Sequence, residues 1–117
     1  VNGGNVAAIF QLIAIRVRIG TIIRRPRVNA RVMEVNNAQR TIIYENVPPT
    51  YQKTITAGEL LGARNILIQD GQFTLQWYKT NFPREAGNKP CNFTTIGGLF
   101  VLLRLARYER PGVYVSI

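Results

Sequence analysis

From Ile13 the chain alternates without a break: Ile13, Ile15, Val17 and Ile19 fall on one side, Ala14, Arg16, Arg18 and Gly20 on the other. A period of two is what a pleated backbone imposes, so this segment predicts a strand with one apolar and one basic face. The run Arg24-Arg25-Pro26-Arg27 interrupts it, because proline has no N–H to give to a central ladder.

Further β signals follow. Val28–Val35 and Arg40–Val47 flank Asn36-Asn37-Ala38-Gln39 and read as a hairpin. Setting Val35 against Arg40 brings Met33 to Ile42 and Val32 to Ile43 on opposite faces, so the ribbon predicts burial on both sides. Asp70-Gly71 is a strong short hairpin signal, since a type I′ turn needs positive φ at both central residues. Its register pairs Ile68 with Phe73 and Ile66 with Leu75, and lays Arg64 over Trp77 as a cation–π pair. Between the two ribbons, Thr56-Ala57-Gly58-Glu59 has the spacing of a capping box ahead of Leu60-Leu61-Gly62; a short helix and an ordinary loop both fit there. Residues 80–91, with two Pro, one Gly and two Asn, predict an irregular loop. The apolar run Leu99–Leu105 predicts a central strand, and Val113–Ile117 a last one. The fold class expected is all-β: one small antiparallel sandwich or barrel over 1–117, at most one short helix, with both terminal segments extended onto neighbouring subunits.

A chain of 117 residues, 46% hydrophobic and 18% charged, supports one folded domain. It has no His, one Cys (Cys91) and one Ser (Ser116). The common zinc, blue-copper and Cys–His or Ser–His arrangements therefore cannot be built. Glu34 and Glu45 share a face of the first hairpin but stand apart in its register, so a two-carboxylate site would need Glu59 or Asp70 to converge on them. Gly3-Gly4 and Gly97-Gly98 lack the Lys and helix context of a phosphate loop. The expectation is a non-enzyme with no cofactor, no metal and no small-molecule substrate. The apolar stretch Val6–Ile15 falls short of the roughly 20 residues that span a bilayer, and no basic residue precedes it, so neither a membrane span nor a signal peptide is expected.

The net charge of +9 comes from 12 Arg and 3 Lys against 6 acids. Six arginines, Arg16, Arg18, Arg24, Arg25, Arg27 and Arg31, lie in residues 1–33 with no acid among them. Guanidinium suits buried interfaces and phosphates better than ammonium does. These six read as a face toward a neighbouring subunit or toward a polyanion, and the scarcity of aromatic residues before Tyr44 tips the balance toward a subunit.

At its end the chain reads Tyr108-Glu109-Arg110-Pro111-Gly112-Val113-Tyr114-Val115. These eight residues resemble the Tyr-x-x-Pro-Gly-Val-Tyr-Val signature of contractile-tail sheath proteins of phages and phage-like particles. There it lies near the start of the chain, in an arm, and subunits interlock by strand exchange; here Ser116-Ile117 stands where an acidic pair usually follows. The resemblance implies a virion structural protein, assembled in a host cytoplasm, with Tyr108, Pro111, Gly112, Val113, Tyr114 and Val115 forming a terminal-strand interface. The function expected is a self-assembling component of a viral or phage-like particle, such as a tail, connector, capsid or decoration protein. Its partners would be further copies, other virion proteins and packaged nucleic acid. A basic β-barrel that binds nucleic acid is the alternative.

Overall fold

The chain opens on a helix. In the computed structural model, which describes residues 2–117, α1 spans Asn2–Arg16. Ile9, Phe10, Ile13 and Val17 are buried, a stripe at helical spacing. Ile13 and Val17 are four apart, so they satisfy both the helical and the strand period; the apolar residues ahead of them decide for the helix. The strand expected over 13–20 is therefore corrected, and its basic face with it.

A four-stranded antiparallel meander follows, β1 (Ile22–Ile23), β2 (Ala30–Asn36), β3 (Thr41–Asn46) and β4 (Lys53–Ile55), in that spatial order. The hairpin around Asn36–Gln39 forms, with a different register: Val35 faces Ile42, Glu34 faces Ile43, and Val32 faces Tyr44 across a bulge at Met33. Ala30, Val32, Ile42, Tyr44 and Ile55 are fully buried, whereas Met33 and Ile43 are only half-buried. One face of this sheet is core; the other is partly covered.

The all-β expectation is overturned: among the described residues five helices accompany seven strands, four of the helices in the second half. Thr56 does build a capping box: its hydroxyl accepts from the Glu59 N–H at 3.3 Å, and the Glu59 carboxylate accepts the Thr56 N–H at 2.8 Å. The helix so started, α2 (Ala57–Asp70), runs through the expected first strand of the second hairpin and buries Leu60, Ala63 and Leu67 at helical spacing. Gly71 does adopt positive φ, +75°, but as the left-handed residue closing a helix rather than as a hairpin turn. The same conformational freedom serves either use, which is why Asp70-Gly71 misled. Trp77 consequently packs on Phe73 and Phe82, not under Arg64.

Next come β5 (Gln72–Thr74), α3 (Leu75–Asn81), α4 (Pro83–Asn88), α5 (Cys91–Leu102), β6 (Ala106–Arg110) and β7 (Val113–Ser116). Proline at the first position of α4 needs no N–H there, so the segment expected as a loop holds a helical turn. Of the expected strand at 99–105, residues 99–102 are the end of α5 and 103–105 the turn after it; the buried Phe93, Ile96, Leu99 and Phe100 show the helical repeat once the helix is begun at Cys91. The second sheet has the order β5-β7-β6. Val113–Ser116 is thus its middle strand, hydrogen-bonded within the chain on both sides, and β6 is an outer strand.

Helix α5 lies between the two sheets, and its glycines set how closely they approach. A Cβ on Gly97 would overlap the Tyr114 ring of β7. One on Gly98 would stand 2.5 Å from the Arg24 carbonyl oxygen and 2.7 Å from Ile23 Cγ2. A buried polar network ties α2 and α3 to α5 and the four-stranded sheet. Glu59 accepts from the Tyr78 hydroxyl, from Asn92 Nδ2 at 3.0 Å and from Thr56, while Asn92 Oδ1 accepts the Tyr44 hydroxyl of β3. No buried side-chain polar atom among the described residues lacks a partner.

Gly97→Ala and Gly98→Ala each overpack these contacts of α5 and should lower unfolding free energy by about 1–3 kcal/mol. Gly87→Ala is the control: a Cβ there meets nothing within 4 Å, and alanine in a helix gains about 0.5–1 kcal/mol over glycine. Urea denaturation of the three variants checks the contrast.

Candidate functional site

Two surfaces stand out, and the six N-terminal arginines divide between them and the sheet. Arg31 is half-buried on β2, across from Ile22 and Glu45. Arg16 and Arg18 are exposed at the end of α1. Arg24, Arg25 and Arg27 lie in the loop between β1 and β2, against α5 and the β6–β7 hairpin.

The end of α1 and the turn after it leave large apolar side chains in solvent. Leu12 and Ile15 of α1, and Ile19 in the turn that follows it, are 37%, 68% and 74% exposed, while Ile9, Ile13 and Val17 are buried. Of the residues that alternation placed on one strand face, Ile13 and Val17 go to the core and Ile15 and Ile19 to solvent, with Arg16 and Arg18 exposed beside the latter pair. Sequence periodicity found these residues and misread their geometry.

The second surface is a groove of two adjoining bays, about 330 and 410 Å³ in volume. Arg25, Pro26, Tyr108 and Tyr114 line both bays. Ile22, Arg24, Gly98, Val101 and Leu102 complete the first; Arg27, Val28, Cys91, Thr94, Pro111 and Gly112 are among those completing the second. Two stretches singled out separately in the sequence, 24–27 and 108–114, therefore meet. Of the terminal-strand set, Tyr108 is 42% exposed and stands edge-on to Tyr114 at 5.5 Å; Val113 and Tyr114 are buried and Val115 half-buried. The floor residues Ile22, Val101 and Leu102 carried no sequence signal, because their place follows from α5 running beneath β1.

Arg25 is held rather than free. Its Nε donates to the Val28 carbonyl at 2.7 Å, Nη1 to Thr95 Oγ1 at 2.8 Å and Nη2 to Asn46 Oδ1 at 2.8 Å. All three acceptors are neutral. Among the described residues the ion pair is Arg107–Glu109, at 2.7 Å, so the groove's guanidiniums meet no carboxylate. No Lys, Asp or Glu lines either bay, and Glu34, Glu45, Glu59 and Asp70 do not gather there. The described residues hold no cluster of three or more His, Cys, Asp or Glu fit for a metal. No helix among them is long and apolar enough to cross a membrane.

Comparison with protein-family models, with curated proteins and with solved structures finds no match to this chain.

Three tyrosines around these elements are hard to ionise. Burial pushes Tyr114 from its ordinary value of 10.0 up to about 12. Burial also raises Tyr44, and raises Tyr78 with help from its hydrogen bond to Glu59. Below pH 10 all three are protonated whether the chain is folded or not, so they add no pH dependence. Above it the unfolded chain releases protons that the folded chain keeps. Stability should then fall as pH rises through 10 toward 12, by up to about 1.4 kcal/mol per pH unit for each tyrosine. Denaturant midpoints measured upward from pH 8 check this; a curve flat past pH 10 contradicts the burial of the three hydroxyls.

Proposed function

We propose that this protein is a structural, self-assembling subunit that catalyses nothing. The observation that carries the reading is the stretch 12–19: α1 buries Ile9, Phe10 and Ile13 in the core, while Leu12 and Ile15 on the helix and Ile19 in the turn after it stay exposed, apolar surface that a neighbour would cover. Leu12, Ile15 and Ile19 supply the outer contact, and Arg16 and Arg18 give it the arginine-rich border common at subunit interfaces. The resemblance of Tyr108–Val115 to the sheath signature favours a phage-like particle as the setting.

A second reading has its own support. Nine cations are exposed, among them Arg18, Arg24, Arg27, Arg104, Arg107 and Arg110, which favours binding to nucleic acid. Helix α5 is poorly suited to such reading: it has no charged residue and buries eight of its twelve. Contact would fall to the loop and hairpin arginines instead.

Salt separates the two. Apolar association between strongly like-charged copies strengthens as salt screens their repulsion, whereas phosphate binding weakens as counterion release loses its advantage. Sedimentation velocity from low salt to about 0.5 M should show self-association rising. An Ile15→Glu/Ile19→Glu variant should abolish it while leaving the thermal transition in place. A chain that stays monomeric at every concentration and salt, and binds an oligonucleotide with a steep inverse salt dependence, overturns the assembly reading.

A further inference from the structure

We infer that the groove between the β1–β2 loop and the β6–β7 hairpin is a receptor for an extended acidic segment of a different protein, one that alternates carboxylates with aliphatic side chains. The site is separate from the exposed Leu12, Ile15 and Ile19, and nothing in the self-assembly reading requires it.

Three observations converge. First, the charge is one-sided: Arg24 and Arg27 are exposed on the rim, Arg25 sits in the wall shared by both bays, and no acid lines the groove. Arg25 is half-buried with only neutral acceptors around it, which leaves a guanidinium desolvated in part and without a counter-charge. Three fixed hydrogen bonds hold it in place, so an incoming carboxylate meets a preorganised cation and forfeits little side-chain entropy.

Second, the floor is aliphatic and aromatic. Ile22, Val101, Leu102 and the exposed edge of Tyr108 offer space for apolar side chains. That composition suits a peptide better than a nucleic-acid strand, which looks for several stacking rings; Tyr108 is the one aromatic side chain exposed there. Besides β7, which supplies Tyr114, the strands that line the groove are β1 and β6, each the outer strand of its sheet, the position from which an extended segment can be taken up by main-chain hydrogen bonds.

Third, a second copy of this chain is a poor occupant. Its acids stand singly at positions 34, 45, 59, 70, 85 and 109; Glu59 is fully buried and Glu109 is paired with Arg107. No stretch of this sequence presents two carboxylates at alternate positions.

The test titrates the whole protein with a short fluorescent peptide alternating Glu with Val, followed by anisotropy and by NMR shifts. Binding should move the resonances of Ile22, Val101 and Tyr108. Replacing every Glu by Lys, or every Val by Ser, should weaken binding about tenfold or more. The Arg24→Glu/Arg27→Glu variant should lose it. Arg25→Lys, which keeps the charge but not the fork, should weaken it about tenfold, with the thermal transition read to confirm folding. Ile15→Glu/Ile19→Glu should bind normally, which keeps this inference apart from self-assembly. It is overturned if no peptide binds, if the Glu/Ser peptide binds as well as the Glu/Val one, if Arg24→Glu/Arg27→Glu changes nothing, or if single-stranded oligothymidylate competes for the same resonances with equal affinity.

Discussion

Two adjacent glycines in α5 decide how this molecule is put together. Gly97 lets the Tyr114 ring lie directly on the helix, and Gly98 lets the backbone at Arg24 do the same from the other sheet. A helix with side chains there would hold both sheets away by the thickness of a methyl group or more, and close-packed interiors do not absorb that displacement freely. The four-stranded meander and the β5-β7-β6 sheet are thus joined through a helix that has been thinned where they touch it. The groove follows from this. Arg24 is drawn in over Gly98, the arginine loop is pinned beside it, and the hairpin carrying Tyr108 rises from the opposite side of the same helix.

The polar interior ties α2 and α3 to α5 and the four-stranded sheet. A fully buried Glu59 is tolerable because it accepts from Thr56, Tyr78 and Asn92, so its charge is spread over donors from three elements. Asn92 passes the connection to Tyr44 in the four-stranded sheet. Arg25 performs a similar task at the surface, tying its loop to β3 through Asn46 and to α5 through Thr95. Residues that look like candidate chemistry in the sequence, an isolated acid and a basic cluster, are partly structural: Glu59 entirely, Arg25 for three of its donors.

Some of this was legible from the chain alone. The capping box at Thr56, the ribbon around Asn36–Gln39 and the strand at Val113–Ser116 are written in local chemistry and form where that chemistry places them. The length of α2 beyond Gly62 and the whole of α5 were not legible, for one reason. Short apolar runs such as Ile66-Leu67-Ile68 and Leu99–Leu103 satisfy both periods, and only neighbours far along the chain select between them. Asp70-Gly71 shows the same ambiguity in a turn, since a left-handed glycine ends a helix as readily as it reverses a strand. The register of the first hairpin differs from the turn outward: Arg40 takes a left-handed conformation inside the turn, so Asn36 meets Thr41 and Val35 meets Ile42, and the bulge at Met33 then shifts the pairing by one residue.

Sequence by itself determined the chemical inventory: no histidine, a single thiol, scattered acids, and an arginine excess concentrated in residues 1–33. Those are facts of composition, and folding cannot change them. Which arginines act together was a tertiary decision. Arg24, Arg25 and Arg27 are gathered with Tyr108 and Tyr114, Arg16 and Arg18 are set beside the exposed Ile15 and Ile19, and Arg31 is given to the sheet. The physical reason is that α1 is a helix and α5 is narrow at its centre. The first fact divides one alternating face between core and solvent; the second brings residues some eighty positions apart to the walls of one groove.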